Sequence, residues 1–139
     1  MLQQADPKTY LQREYKSTPP YVKDRVCTMS DAAHAMTPFI ASGAANAFED
    51  AMVLAALLNA LSPSEDIAGA FRTYDAAGRP RYQTIVDTSK ELGYMRCGVN
   101  KDAGQDPRKP LQIMGTWWEF LRNLHNHGAL DKFIQMRRV

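Results

Sequence analysis

Apolar and polar positions recur with different periods along the chain, and each change of period marks an element. Arg25-Val26-Cys27-Thr28-Met29 is short, rich in apolar and β-branched residues, and closed by the polar pair Ser30-Asp31. It predicts a buried strand running into a loop, the one strand the pattern supports. From Ala44 to Leu61 the residues are almost all Ala, Leu, Met, Val and Phe, interrupted at Asn46, Glu49, Asp50 and Asn59. That predicts a helix apolar on most sides, hence central and buried. Glu49 and Asp50 are expected in its opening turns, where the positive end of the helix dipole favours acidic groups. Ser62-Pro63-Ser64-Glu65 reads as a capping box opening a second helix, with Ser62 as the cap and Pro63 at the first helical position. Its apolar face is Ile67, Ala70, Phe71, Tyr74 and Ala77, before Gly78 and Pro80 break or kink it. A further helix, Arg81 to Leu92, is expected to stop at Gly93.

The proline- and glycine-containing stretch from Gly98 to Pro110 reads as a loop. Leu111, Met114, Trp117, Trp118, Leu121 and Leu124 then recur at helical spacing, with a stop at Asn126-His127-Gly128. At the other end, Pro7, Pro19 and Pro20 make residues 1–24 a loop with at most one short helix. The chain thus divides into a strand, loop and helix over 20–60, a helical segment over 62–93, a loop over 94–110 and C-terminal helices over 111–136. The fold class is mostly α with one or a few short strands.

The 139 residues suit one globular unit, and 45% hydrophobic against 23% charged residues is ordinary for such a unit. Lys and Arg number 17 against 15 Asp and Glu, and a formal charge of +2 argues against a nucleic-acid or acidic-lipid partner. Cys27 and Cys97 have no CxxC company, so the expectation is reduced thiols rather than a disulfide framework or zinc ribbon. The start shows neither a basic nor an apolar leader, and the longest apolar run, Ala51 to Leu58, falls well short of a membrane span. The expectation is a cytoplasmic protein without a membrane anchor.

Other constellations carry less. His125 and His127 are spaced i, i+2 and point to different sides of a helix, so no metal site is expected. Ser30, Asp31 and His34 lack the strand-turn-helix elbow of a hydrolase nucleophile, and His34 reads as a structural residue orienting its loop by hydrogen bonds. Trp117, Trp118 and Phe120 read as core or interface, and Lys132, Arg137 and Arg138 as a solvated tail.

The chemistry concentrates in residues 25–51. A strand end, a carboxylate, a proline-stiffened loop and a helix amino terminus follow one another there, an order suited to holding a polyhydroxyl or anionic ligand. Asp31 can accept hydrogen bonds from ligand hydroxyls. The amides of Gly43 to Asn46, at the start of the helix, can meet developing negative charge, and the small residues Ser42, Gly43, Ala44 and Ala45 let backbone approach a flat ring. On pattern alone, a turn aspartate and a closely packed helix start are the commoner account of these residues.

The run Asp31-Ala32-Ala33-His34 with Pro38, then Glu49-Asp50-Ala51 with Leu54 and Leu57-Leu58, closely resembles the second flavin-binding motif of FAD-dependent monooxygenases of the salicylate hydroxylase type. The likeness continues through Phe71-Arg72-Thr73-Tyr74-Asp75, Arg79-Pro80-Arg81 and Thr88-Ser89, covering roughly residues 20 to 95. It implies that Asp31 binds the ribityl chain of FAD, that Pro38 lies beside the isoalloxazine ring, and that the amides of Gly43, Ala44, Ala45 and Asn46 face the pyrimidine edge. It further implies NAD(P)H as co-substrate, a small aromatic substrate, and oxygen-dependent hydroxylation of that substrate.

The sequence also departs from this pattern. Ser30 stands where the family has glycine. Phe39-Ile40-Ala41 replaces a more polar, glycine-containing run, and Ala45 replaces another glycine, which is expected to restrict positive-φ conformations. The eight glycines fall singly, so no G-x-G-x-x-G turn is present to cradle a pyrophosphate. The resemblance therefore implies a single partial FAD-binding domain over 1–139, a C-terminal fragment of an α/β, Rossmann-like monooxygenase fold. Such a chain is expected to be incomplete or inactive in isolation, with self-association or a complementing chain covering its open face. The alternative from another class is a non-catalytic helical remnant or interaction module that no longer binds flavin.

Overall fold

The computed structural model describes residues 10–62, 66–103, 106, 108, 109 and 111–115. The expected strand is in fact one arm of a small hairpin: β1 (Val22–Lys23) pairs antiparallel with β2 (Val26–Cys27), with Val22 opposite Cys27 and Lys23 opposite Val26. The turn between them takes Asp24 at φ 53, a left-handed conformation that aspartate tolerates better than most residues. The pairing is extended when the Thr28 amide donates to the Tyr21 carbonyl at 2.8 Å. The expectation of a buried strand is corrected, since Val26 is 67% exposed. Only the alternate side of the hairpin is covered, with Tyr21 buried and its amide donating to Asp75 Oδ1 at 3.0 Å.

A one-turn helix, α1 (Asp31–His34), follows, then a 3-10 turn (Pro38–Ile40) and α2 (Gly43–Asn59). The boundaries of α2 lie close to the expected ones, but its setting does not. Asn46, Asp50 and Leu57 are buried, while Phe48 is 73% and Met52 66% exposed. The helix therefore packs on one side, because α3 is the main element it meets among the described residues. Glu49 and Asp50 lie about two turns into α2, and its first turn holds no acidic residue, so the dipole account of them is also corrected.

The largest difference concerns the second helical region, where one helix, α3 (Ile67–Arg96), replaces the two expected. It begins one residue after Asp66, whose carbonyl accepts from the amides of Gly69 and Ala70 at 3.0 and 3.3 Å. Ser62 is therefore not its cap, and residues 63–65 of the expected capping box lie outside the described residues. Pro80 sits inside this helix, where it removes a backbone donor at a cost of about 3 kcal/mol. The helix continues because its buried stripe does: Ala70 and Tyr74 before the proline are followed by Tyr82, Ile85, Ser89 and Leu92 after it, at spacings of three, four or eight. Gly78 makes room for a ring, since a Cβ there would lie 2.8 Å from Tyr82 Cε2.

Gly93 is likewise not a stop. A Cβ on it would lie 2.5 Å from Phe39 Cε2, so its hydrogen lets the 3-10 turn approach α3. The helix ends instead at Arg96, with Gly98 at φ 68 supplying the left-handed residue. The core gathers Tyr21, Ala33, Leu57, Ala70, Tyr74, Tyr82 and Ile85 from the hairpin and all three helices. Residues 111–115 are helical, as expected. The remainder of the expected C-terminal helices, with Trp117, Trp118, His125 and His127, lies outside the described residues.

Candidate functional site

Residues 30–46 have two different sides. On the inner side, Ser30 takes φ 55 and ψ −143, a conformation almost confined to glycine. It is held from both directions: its amide donates to Asp50 Oδ2 at 2.7 Å, and its carbonyl accepts from the amides of Ala33 and His34 at 2.8 and 2.9 Å. His34 Nε2 meets the same Asp50 oxygen at 2.7 Å, and its ring stacks on Tyr82 with centroids 4.1 Å apart at 22°. Asp50 is 0% and His34 2% exposed. His34 therefore does orient its loop by hydrogen bonding, and its partner is a carboxylate from the middle of α2.

Burial pushes the Asp50 carboxyl pKa up, yet the His34 ring, the Tyr82 hydroxyl, the Ser30 amide and Tyr74 outweigh it, and the net shift is downward. Tyr74 acts by proximity, because its hydroxyl and Asp50 Oδ1 close no hydrogen bond among the described residues. Burial, reinforced by Asp50, raises the pKa values of Tyr74 and Tyr82 and pushes Tyr21 up to about 12. Nothing in the sequence marks Asp50 as buried. The available signal was that Glu49 and Asp50 fall on different sides of a helix whose other polar residues are few.

A second anchor holds the 3-10 turn. Thr37 Oγ1 donates to Ser89 Oγ at 3.0 Å, the Ile40 amide donates to the same hydroxyl at 3.3 Å, and Ser89 in turn donates to the Thr37 carbonyl. Two pieces of the motif that are distant in sequence also meet, Glu49 of α2 pairing with Arg81 of α3, while Asp75 pairs with Arg79 one turn along α3 at 3.2 Å.

The outer side carries most of the candidate residues. Asp31 is exposed at the first position of α1 and has no hydrogen-bond or ion-pair partner among the described residues, and Pro38, Ala44 and Ala45 are exposed as well. A Cβ on Gly43 would meet nothing within 4 Å among the described residues. The Ser42 hydroxyl turns back to the Ile40 carbonyl at 3.2 Å and does not cap α2, so the amides of Gly43, Ala44 and Ala45 have no acceptor among the described residues. Asn46 differs from the expectation. Its amide already donates to the Ser42 carbonyl at 2.9 Å, and its side chain is buried against Met36 Sδ at 3.9 Å.

The substitutions at glycine positions also sort themselves. Ser30 and Ala41 adopt positive φ, 55 and 57, and so bear the strain, whereas Ala45 lies within α2 and does not. An open cleft of about 590 Å³ is lined by residues 14–19 and by Ala32, the residue after Asp31. Its wall is held by the Tyr15 amide on the Ala35 carbonyl at 3.0 Å and by a Glu14 to Lys90 pair at 2.6 Å. The sequence pattern offered no sign of it. An exposed carboxylate, unpaired helix amides and an unobstructed Gly43 form a donor and acceptor set that fits a ribityl chain and an electron-rich ring edge.

Comparison with known proteins agrees with that chemistry. The FAD binding domain family matches residues 2–89. A FAD-dependent monooxygenase of Gibberella moniliformis is 39% identical over 112 residues, covering 75% of this chain and 26% of its own length. Among solved structures, a salicylate hydroxylase substrate complex superposes with a TM-score of 0.73 at 27% identity, over 83% of this chain and 28% of the other. Klebsiella pneumoniae HpxO complexed with FAD and uric acid superposes with a TM-score of 0.55 at 27% identity, over 87% and 29%. The chain spans little more than a quarter of the length of these three proteins, and it belongs to the FAD binding domain family of FAD-dependent monooxygenases of the salicylate hydroxylase type, whose cofactor is FAD.

Proposed function

We propose that the outer side of residues 31–45 is one wall of a flavin site. Asp31 accepts hydrogen bonds from the ribityl hydroxyls, Pro38 lies beside the ring, and the amides of Gly43, Ala44 and Ala45 face the pyrimidine edge. Asn46 contributes through its place in the helix turn rather than through its own amide. The observation that carries the reading is the three amides at the start of α2 that have no acceptor among the described residues, with open space above Gly43, together with the exposed Asp31 of α1, likewise without a partner among those residues. When bound, FAD supplies the redox chemistry, and the chain's part is to position it and to stabilise negative charge at its edge by about 1 kcal/mol.

The activity served is NAD(P)H- and oxygen-dependent hydroxylation of a small aromatic substrate, a reaction that suits the cytoplasm, where the nicotinamide is at hand. It requires a complementing dinucleotide-binding half, because no G-x-G-x-x-G turn is present in this chain. Titration of the chain into free FAD tests the site. Quenching of flavin fluorescence at micromolar protein, weakened about tenfold or more by Asp31→Ala, is the expected result. Quenching unaffected by Asp31→Ala would remove Asp31 from the site.

A second reading is favoured by the strain at Ser30 and Ala41 and by the exposed apolar residues of α2: a non-catalytic helical module that associates through that face. A chain that self-associates and leaves FAD fluorescence unchanged would support it.

A further inference from the structure

Asp31 is the charged, exposed residue of its turn, and it stands between two residues fastened to the same atom. Ser30, immediately before it, is held by its amide, and His34, three residues after it, by its ring, both on Asp50 Oδ2 at 2.7 Å. That oxygen belongs to α2, whose amino terminus forms the other part of the proposed flavin wall. One carboxylate therefore sets the turn carrying Asp31 against the helix carrying the unpaired amides. The arrangement is stiff on every side. Ser30 has a backbone conformation that would relax without its anchor, and the His34 ring is clamped by Tyr82 and buried. His34 Nδ1 is buried and has no partner among the described residues, so Asp50 is the group that the ring's hydrogen bonding reaches.

We propose that Asp50 and His34 are positioning residues for the flavin site: from the interior, without touching the ligand, they fix Asp31 relative to the amino-terminal amides of α2, so that FAD affinity depends on their pairing. The proposal rests on the reading that Asp31 holds the ribityl chain. It separates the pair from the rest of the core, whose loss would weaken the fold without singling out Asp31.

The test combines a flavin-free readout with a double-mutant cycle. By NMR, the Ser30 amide proton of the unliganded chain is expected well downfield, with a slowly exchanging His34 Nε2 proton, and both signals return to ordinary positions in Asp50→Asn. In FAD titrations, Asp50→Asn and His34→Ala are each expected to weaken binding about tenfold, and His34→Gln, which keeps a donor at the Nε2 position, to stay within about twofold. In an Asp31→Ala background the same substitutions should cost almost nothing more. Equal losses in both backgrounds, or an undisturbed Ser30 amide in Asp50→Asn, would overturn the proposal while leaving Asp31 in the site. Insensitivity of FAD binding to Asp31→Ala itself would overturn the underlying reading instead, and a wild-type chain that binds no FAD would overturn both.

Discussion

The two sides of residues 30–46 belong to the same short stretch of backbone and obey different rules. On the inner side, two polar groups converge on one carboxylate oxygen, in an interior where an unpaired charge would be expensive. On the outer side, a carboxylate and three amides have no partner among the described residues, and the neighbouring face of α2 presents Phe48 and Met52 to solvent. The difference separates two functions of one motif: its buried polar residues hold the loop in shape, and its exposed ones are left available to a ligand or a partner.

The sharpest way to break this comparison is to remove its centre. Asp50→Ala strands the Ser30 amide and the His34 ring in the interior and should lower unfolding free energy by about 3–5 kcal/mol in urea denaturation. Asp31→Ala, on the outer side, should change it by less than about 0.5 kcal/mol. Similar values for the two would abolish the distinction. Gly93→Ala should follow in size: forcing Phe39 off α3 is expected to cost about 1–3 kcal/mol despite alanine's better helix propensity, seen as a lowered melting temperature.

Titration addresses the inner side without mutation. The pKa of Asp50 is held below its ordinary 3.8, so its contribution to stability is complete above that pH and is lost as the pH falls toward its folded value. The raised tyrosines act in the opposite direction. They stay neutral in the fold while the unfolded chain ionises near pH 10, so stability is complete below that pH and declines above it, through about 12 for Tyr21. Thermal melts across pH would reveal both limbs, and a flat alkaline limb would contradict the burial of these phenols.

Smaller still, Ser30→Gly and Ala41→Gly should each raise stability by about 1 kcal/mol, because the positive-φ strain that glycine relieves exceeds the entropy it adds to the unfolded chain. A loss at either position would show that the side chain contributes more than the strain removes. Smallest of all, Phe48→Gln should leave the stability of the monomer within about 0.5 kcal/mol while reducing self-association in sedimentation, since the residue contributes to the surface and not to the core.

By itself the sequence determined where α2 lies to within about two residues at each end, because apolar density and the flanking polar residues act locally. It also marked the turn that bears Asp31, the buried face through Ala70 and Tyr74, and, through the spacing of Asp31, Pro38 and Glu49-Asp50, the family. Only the tertiary structure decided that Gly78 and Pro80 interrupt nothing, that Gly93 accommodates a ring rather than ending a helix, and that Asp50 is an interior anchor. Local preferences at those three places amount to a few kcal/mol at most, and what a residue meets across the fold can exceed that. The neighbours that outweigh them, Tyr82, Phe39 and the Ser30 amide, come from other turns or other elements, where periodicity in the chain carries no information about contact.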